Sequence, residues 1–226
     1  MTVVLERYDN RISIGHVIVF LVIAVALGAY LAFVTGPHLR EAIDAGVATI
    51  VETPAEGAAA IEEGVEEERG VTLLDMRFTG FEHEDVDNLK AALTDEDVSY
   101  YTGNHLVADL FFAPAFFLAF SCLFIFLTKP GRRFAVPLPE GVRLVVLSLG
   151  LAAFVADVGE NICLWIIMGS EDPANGLLFL GATLTGIKWL AYSAAAAAIL
   201  ATVVLAVLRG LGGGNSAPAR PAGARH

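Results

Sequence analysis

Four apolar stretches dominate the sequence, and each is long enough to cross a lipid bilayer as an α-helix. They cover approximately residues 12–34, 106–127, 144–168 and 177–208. A hydrocarbon core of roughly 30 Å needs about 20 helical residues. Strands of a membrane barrel are shorter and alternate apolar with polar residues, which these stretches do not. Because only 17% of the residues are charged, the chain is predicted to be an all-α integral membrane protein, a four-transmembrane-helix bundle.

The positions of lysine and arginine predict how the chain is threaded, because cytoplasmic loops retain these residues. Arg7 and Arg11 precede the first stretch, Lys129 begins a basic loop after the second, and Arg209 follows the fourth. We therefore expect a multi-pass protein of the inner or plasma membrane with both termini in the cytoplasm. The predicted segments are the cytoplasmic N-terminus 1–11, transmembrane helices 12–35, 104–128, 142–168 and 177–208, the extracytoplasmic acidic segment 36–103, the cytoplasmic basic loop 129–141, the extracytoplasmic loop 169–176 and the disordered cytoplasmic tail 209–226.

The segment 36–103 concentrates the acidity of the chain. It holds 17 acidic and four basic residues, a net charge of −13 against −11 for the whole protein. Such a surface repels nucleic acid, which is excluded as a partner. The spacing of Leu39, Ile43 and Val47 indicates a helix, and a turn is expected at Thr79–Gly80. With few large apolar residues, this mostly helical segment is expected to pack on the helix ends rather than fold alone.

Ionisable residues within three predicted helices converge at one depth of the membrane. Counting from the basic anchors at about 1.5 Å per residue places Asp157 roughly 21 Å, Asp109 roughly 30 Å and Lys188 roughly 31 Å from the cytoplasmic side. A charge at this depth normally faces the bundle interior and finds a partner, and Lys188 is the natural partner for the acids. The predicted polar site consists of His105, Asp109, Asp157, Glu160, Asn161, Lys188 and Tyr192.

One structural and one functional role are open for this polar site. It stabilises the bundle through hydrogen bonds between helices, each contributing around 0.6–2 kcal/mol, or it lines an outward-opening pocket in which the acids transfer protons or bind a cation or a headgroup. A metal site made of His105 and the three acids is disfavoured, because there is one histidine and Lys188 competes for the carboxylates. No metal and no cofactor are therefore predicted. Cys122 and Cys163 are expected to be small core residues.

Three functions are compatible with the cluster. The first is a binding or accessory module that takes a lipid or small amphipathic ligand from the bilayer. The second is a membrane enzyme acting on a lipid or isoprenoid, with Asp157 or Glu160 as general acid or base and Lys188 stabilising charge. The third is a subunit of a larger membrane complex, with a protein partner or a second copy of the chain.

Two stretches, LLDMRFTGF at residues 73–81 and VADVGEN at residues 155–161, carry a resemblance. Together with the start of the second helix, they resemble a family of uncharacterised prokaryotic four-transmembrane-helix membrane proteins, with Asp-x-Arg-Phe before helix 2 and Asp-x-x-Glu-Asn in helix 3. The resemblance spans about residues 71–165, and residues 52–70 have no counterpart in it. The matching residues are Asp75, Arg77, Phe78, Asp109, Asp157, Glu160 and Asn161. The resemblance implies one recurring site at Asp109 and the third-helix acids, with Asp75 and Arg77 over it. It does not indicate any particular activity.

The aromatic residues Tyr100, Tyr101, Trp165 and Trp189 are predicted to lie in the outer aromatic belt, where amphipathic rings meet the headgroups.

Overall fold

The computed structural model describes residues 12–52, 71–129 and 135–212, which form five helices and no strand. Helix α1 comprises Ile14–Tyr30, a π-helical turn at Leu31–Thr35, and Gly36–Glu52; α2 is His83–Ala92; α3 comprises Asp95–Tyr100, a π-helical turn at Tyr101–His105, and Leu106–Thr128; α4 is Glu140–Gly169; α5 is Asn175–Gly212. Four of them, α1, α3, α4 and α5, are long and apolar enough to span a membrane. The predicted all-α four-helix bundle is confirmed.

Two of the long helices extend past the ends expected from hydropathy. Helix α1 continues to Glu52, and α3 begins at Asp95. The extension of α1 is amphipathic, with Leu39 and Ile43 buried. Helix α3 begins where the Thr94 hydroxyl accepts a hydrogen bond from the Asp97 N–H at 3.2 Å, an N-cap interaction that satisfies a free donor. Apolar length alone underestimates both helices, because their ends lie in the polar segment. The predicted N-terminus 1–11, the acidic stretch 53–70, residues 130–134 of the basic loop and the tail beyond residue 212 lie outside the described residues.

The helices pack in the order α1, α3, α4, α5, with the most extensive contact between α4 and α5. Helix α1 packs chiefly on α3. At the end of the bundle near Val17 and Ala206, α1 and α5 contribute to one apolar cluster. Further along they make no extensive contact. The bundle is therefore open on the side between α1 and α5 over part of its length.

The outward faces of the long helices are apolar, as a lipid environment requires. Large side chains such as Phe33 on α1, Trp165 on α4 and Leu190 on α5 are exposed. Cys122 and Cys163 are buried and unbonded, as expected for small core residues. Four apolar helices with exposed apolar faces indicate a multi-pass protein in a lipid bilayer.

The part of the acidic segment that the structure describes is a cap packed on the helix ends. Leu74, Val86 and Leu89 of the cap are fully buried in one apolar cluster that also contains Leu39 of α1 and Ile167 of α4. An Arg77–Asp85 ion pair of 2.7 Å links the loop after the short 3-10 helix Leu74–Met76 to α2. The Lys90 ammonium donates to the Ser170 carbonyl at the end of α4. The predicted turn is present: the Gly80 N–H donates to the Arg77 carbonyl at 3.1 Å, and Gly80 has a φ of +81°.

The approach of α1 to the end of α2 generates a test of this cap. A methyl group on Gly46 would lie 1.8 Å from the Ala92 carbonyl oxygen. We expect Gly46→Ala to lower the free energy of unfolding by about 1–3 kcal/mol, because the two backbones must separate. Thermal unfolding in maltoside micelles measures the change. The matched control is Gly186→Ala on α5, where nothing lies within 4 Å of the added methyl group. Equal stability of the two variants would contradict the described packing of α1 on α2.

Candidate functional site

A buried ion pair between α4 and α5 lies at the centre of the predicted polar site. The Lys188 ammonium is in direct contact with the Glu160 carboxylate and lies 3.6 Å from an Asp157 carboxylate oxygen. The Thr185 hydroxyl donates to the other Glu160 oxygen at 2.6 Å. Glu160 has no exposed surface. Its carboxylate is thus enclosed by Thr185 and Lys188, which are three residues apart and therefore on one face of α5.

Two further carboxyl groups, from different helices, share one amide donor. The Asn161 side-chain nitrogen donates to Asp109 of α3 at 3.1 Å and to Asp157 of α4 at 3.3 Å. The Tyr192 hydroxyl of α5 donates to Asp157 at 2.5 Å. Asp109 and Asp157 therefore connect three helices through one acidic pair.

His105 forms a second group of polar contacts, which is directed at the cap. Its Nε2 lies 3.2 Å from an Asp75 carboxylate oxygen, and its Nδ1 lies 2.8 Å from the Thr35 hydroxyl of α1. The Tyr101 hydroxyl donates to the other Asp75 oxygen at 3.0 Å. Burial by itself raises the pKa of Asp75, but the hydrogen bond and charge of His105, with the charge of Lys188 and the Tyr101 hydroxyl, lower it to about 2. Asp75 is a fixed negative charge at neutral pH.

The two π-helical turns of the structure meet at this group. Thr35 ends the turn of α1, His105 ends the turn of α3, and the bond between their side chains joins the two helices. Such turns often accompany functional sites. Here they bring a hydroxyl and an imidazole together inside the bundle.

The structure brings all seven predicted residues together in two adjoining groups of polar contacts. Five neighbours that were not predicted as site residues also contribute: Thr35, Asp75, Tyr101, Thr185 and Trp189. Asp75 was indicated only through the resemblance. The assignment of Tyr101 to the aromatic belt is wrong, because its side chain is fully buried against Asp75. Its position four residues before His105 is the signal that places both side chains on one helix face.

Trp189 holds the cap over the site. Its indole N–H donates to the Asp75 backbone carbonyl at 3.2 Å. Its ring lies 4.4 Å from the Phe78 ring, between centroids. The Asp75–Phe78 turn is thereby fixed to α5 beside the buried acids. Arg77 points instead to Asp85 of α2.

A cavity of about 360 Å³ opens beside the two groups. Its lining has a polar part, here called the polar wall, and an adjoining apolar and aromatic part, here called the apolar wall. The polar wall consists of Asp75, His105, Asp109, Asp157, Lys188 and Tyr192, and the apolar wall of Gly28, Leu31, Ala32, Met76, Phe112, Phe116, Trp189 and Ala196. Ala32 of α1 and Ala196 of α5 are exposed on the outside of the bundle. The cavity therefore opens sideways between α1 and α5, where these helices do not pack. Glu160 and Asn161 do not line it.

Metal binding finds no support in the geometry. Within residues 12–52, 71–129 and 135–212, no three His, Cys, Asp or Glu side chains are arranged to hold a metal ion. The acids engage the Lys188 ammonium, the Asn161 amide and the Tyr192 hydroxyl instead.

Comparisons of this chain with protein-family models, with curated proteins and with solved structures find no match. The function is therefore argued from the geometry of the site.

The buried ion pair predicts a strong effect of removing the lysine. Lys188→Met leaves Glu160 and Asp157 enclosed without a cation, so we expect the free energy of unfolding to fall by about 3–5 kcal/mol. The matched control is the double variant Lys188→Met/Glu160→Gln, which removes both charges and should recover part of the loss. Thermal unfolding of the purified protein in micelles measures both. If Lys188→Met is as stable as the wild type, Lys188 does not neutralise these acids.

Proposed function

We propose that this protein is a membrane-embedded binding module whose cavity takes a small amphipathic molecule from the bilayer. The observation that carries the proposal is the side-opening cavity with one polar and one apolar wall. Its volume of about 360 Å³ lies within the range of small-molecule sites, which are mostly apolar with a few polar groups that orient the ligand. An amphipathic molecule matches both walls: its polar group faces Asp109 and Asp157, and its chain lies along the rings and out towards the lipid.

The division of the buried polar groups supports this role. Glu160, Thr185 and Asn161 bond only to other protein groups and do not line the cavity. They hold the helices together. Asp109 and Asp157 have the same buried setting but face the cavity. An acid that serves packing alone does not need an adjacent open volume, and ionisable residues in a membrane commonly mark a site.

The proposed orientation places this cavity in the outer leaflet of an inner or plasma membrane. Arginine and lysine residues before α1, between α3 and α4 and after α5 favour a cytoplasmic location for both termini. The cap then lies outside, and the side opening faces lipid on that side of the bilayer.

A reporter pair tests the orientation. Green fluorescent protein fused after His226 should fluoresce, because it folds in the cytoplasm. Alkaline phosphatase inserted at residue 60 should be active, since it needs an extracytoplasmic location. The opposite pattern would place the cavity in the inner leaflet.

Native mass spectrometry of the gently solubilised protein tests the binding site. We expect the wild type to retain a small adduct and Ala196→Phe to lose it, because the added ring projects from an exposed position on the cavity wall. The control is Ala197→Phe, which adds the same ring at an exposed neighbour that does not line the cavity. Unchanged thermal unfolding shows that both variants fold. An adduct that persists in Ala196→Phe, or is absent from the wild type, would refute the site.

A membrane enzyme acting on a lipid or isoprenoid is the second candidate, favoured by the 2.5 Å contact between the Tyr192 hydroxyl and Asp157 at the cavity wall. Of the two acids considered, Asp157 rather than Glu160 would be the acid or base, since Glu160 is sealed behind Lys188 and Thr185. The native mass spectra described above separate the candidates. An enzyme releases a chemically altered product that Asp157→Asn does not form. A subunit of a larger complex co-purifies with another protein at a fixed ratio.

A further inference from the structure

We infer that the polar group of the ligand is an organic cation, an alkylammonium attached to an apolar chain. This inference rests on the proposed binding function and specifies the chemical class that the cavity takes. It is carried by the charge of the polar wall, by the contacts of its two cations and by the aromatic rings that line the cavity.

The polar groups at the cavity have an excess of negative charge. Asp75, Asp109 and Asp157 line it, and Glu160 lies directly behind Lys188. Lys188 and His105 are the cationic groups at the same wall. Four carboxyls face two cations even when His105 is protonated. With His105 protonated and all four carboxyls ionised, these groups carry a net charge of −2, and a bound monovalent cation reduces it to −1.

Both protein cations are already occupied by protein acceptors. Lys188 contacts Glu160 and lies 3.6 Å from Asp157, while His105 contacts Asp75 and Thr35. An anionic ligand would have to displace these carboxylates in a setting where removing a charge from its partner is costly. The polar wall therefore disfavours phosphate and carboxylate groups.

Asp109 is the acid at the cavity that has no cation in direct contact. It is nine-tenths buried and lines the cavity. Among the described residues it makes no ion pair, and it accepts a hydrogen bond from the Asn161 amide at 3.1 Å. An ammonium group in the cavity beside Asp109 would form the charge-assisted contact that the protein itself does not supply.

The aromatic rings that line the cavity suit an organic cation better than a metal ion. Phe112, Phe116, Trp189 and Tyr192 line the cavity, and the Phe116 and Tyr192 rings meet edge to face at 4.9 Å. Aromatic faces attract ammonium groups, whereas Na⁺, Mg²⁺ and Ca²⁺ need several oxygen ligands around a small volume. The about 360 Å³ available has room for an ammonium with part of its chain.

Fluorescence of Trp189 provides a direct assay. The chain has two tryptophans, so Trp165→Phe, at an exposed position on α4, leaves Trp189 as the reporter at the cavity. The protein in maltoside micelles is titrated with dodecylammonium, dodecyl phosphate, dodecanol and lyso-phosphatidylethanolamine. We expect a saturable change with dodecylammonium and at least about tenfold weaker binding of dodecyl phosphate, because a charge-assisted contact is gained in one case and a repulsion in the other.

Asp109→Asn in the same background should weaken dodecylammonium binding about tenfold or more. The control is Asp172→Asn, which removes one acid at a 95% exposed position outside the cavity. Tighter binding of lyso-phosphatidylethanolamine than of dodecylammonium would identify a lipid headgroup as the source of the ammonium, and the reverse order a free cationic amphiphile. If Asp109→Asn does not fold, the comparison of the ammonium with the phosphate of equal chain length decides.

Two failures are distinguishable. If dodecyl phosphate or dodecanol saturates the Trp189 signal and dodecylammonium does not, the inference of a cationic ligand is wrong. The proposed binding site is then retained. If none of the probes changes Trp189 and no adduct is lost in Ala196→Phe, the proposed binding function is overturned as well.

Discussion

The ion pair between Lys188 and Glu160 is the interaction on which the arrangement of the helices depends. An ammonium buried at this depth of a bilayer is tolerated only with a carboxylate beside it, so α4 and α5 must meet at this register. They form the most extensive helix pair of the bundle. Asp157 lies one helical turn before Glu160, and Asn161 extends the polar contacts from there to Asp109 on α3. Lys188 and the neighbouring Asn161 thus fix how α3, α4 and α5 are aligned with one another.

The buried acids separate into an enclosed set and an accessible set because of small residues on the apolar wall. Gly28 and Ala32 of α1 and Ala196 of α5 leave space where larger side chains would bring the helices into contact. A methyl group on Gly28 would already lie 3.3 Å from the Phe112 ring. The glycine and alanine positions keep Asp109 and Asp157 in contact with an open volume, while Glu160, on the far side of Lys188, is sealed.

Helical regularity explains which parts of the site were predictable from sequence. The constant rise per residue places Asp109, Asp157 and Lys188 at one depth, and the spacing of Asp157, Glu160 and Asn161 places them on one face. Thr35 and Asp75 were not predictable in this way. Thr35 ends a π-helical turn, where the helical period is interrupted, and Asp75 belongs to a short turn of the cap without a period of its own. Contacts between a loop and a helix depend on tertiary packing, which hydropathy and spacing do not contain.

Under the proposed function, the sideways opening between α1 and α5 changes which quantity governs occupancy of the cavity. A molecule that enters from the bilayer is drawn from a two-dimensional solution, so its mole fraction in one leaflet, rather than its aqueous concentration, sets how often the cavity is filled. Its chain leaves lipid for protein and gains little, because hydrocarbon tails are as apolar as leucine. Discrimination between amphiphiles of equal chain length then depends almost entirely on the few ångströms around Asp109, and a change in the headgroup composition of that leaflet would be registered directly by this cavity.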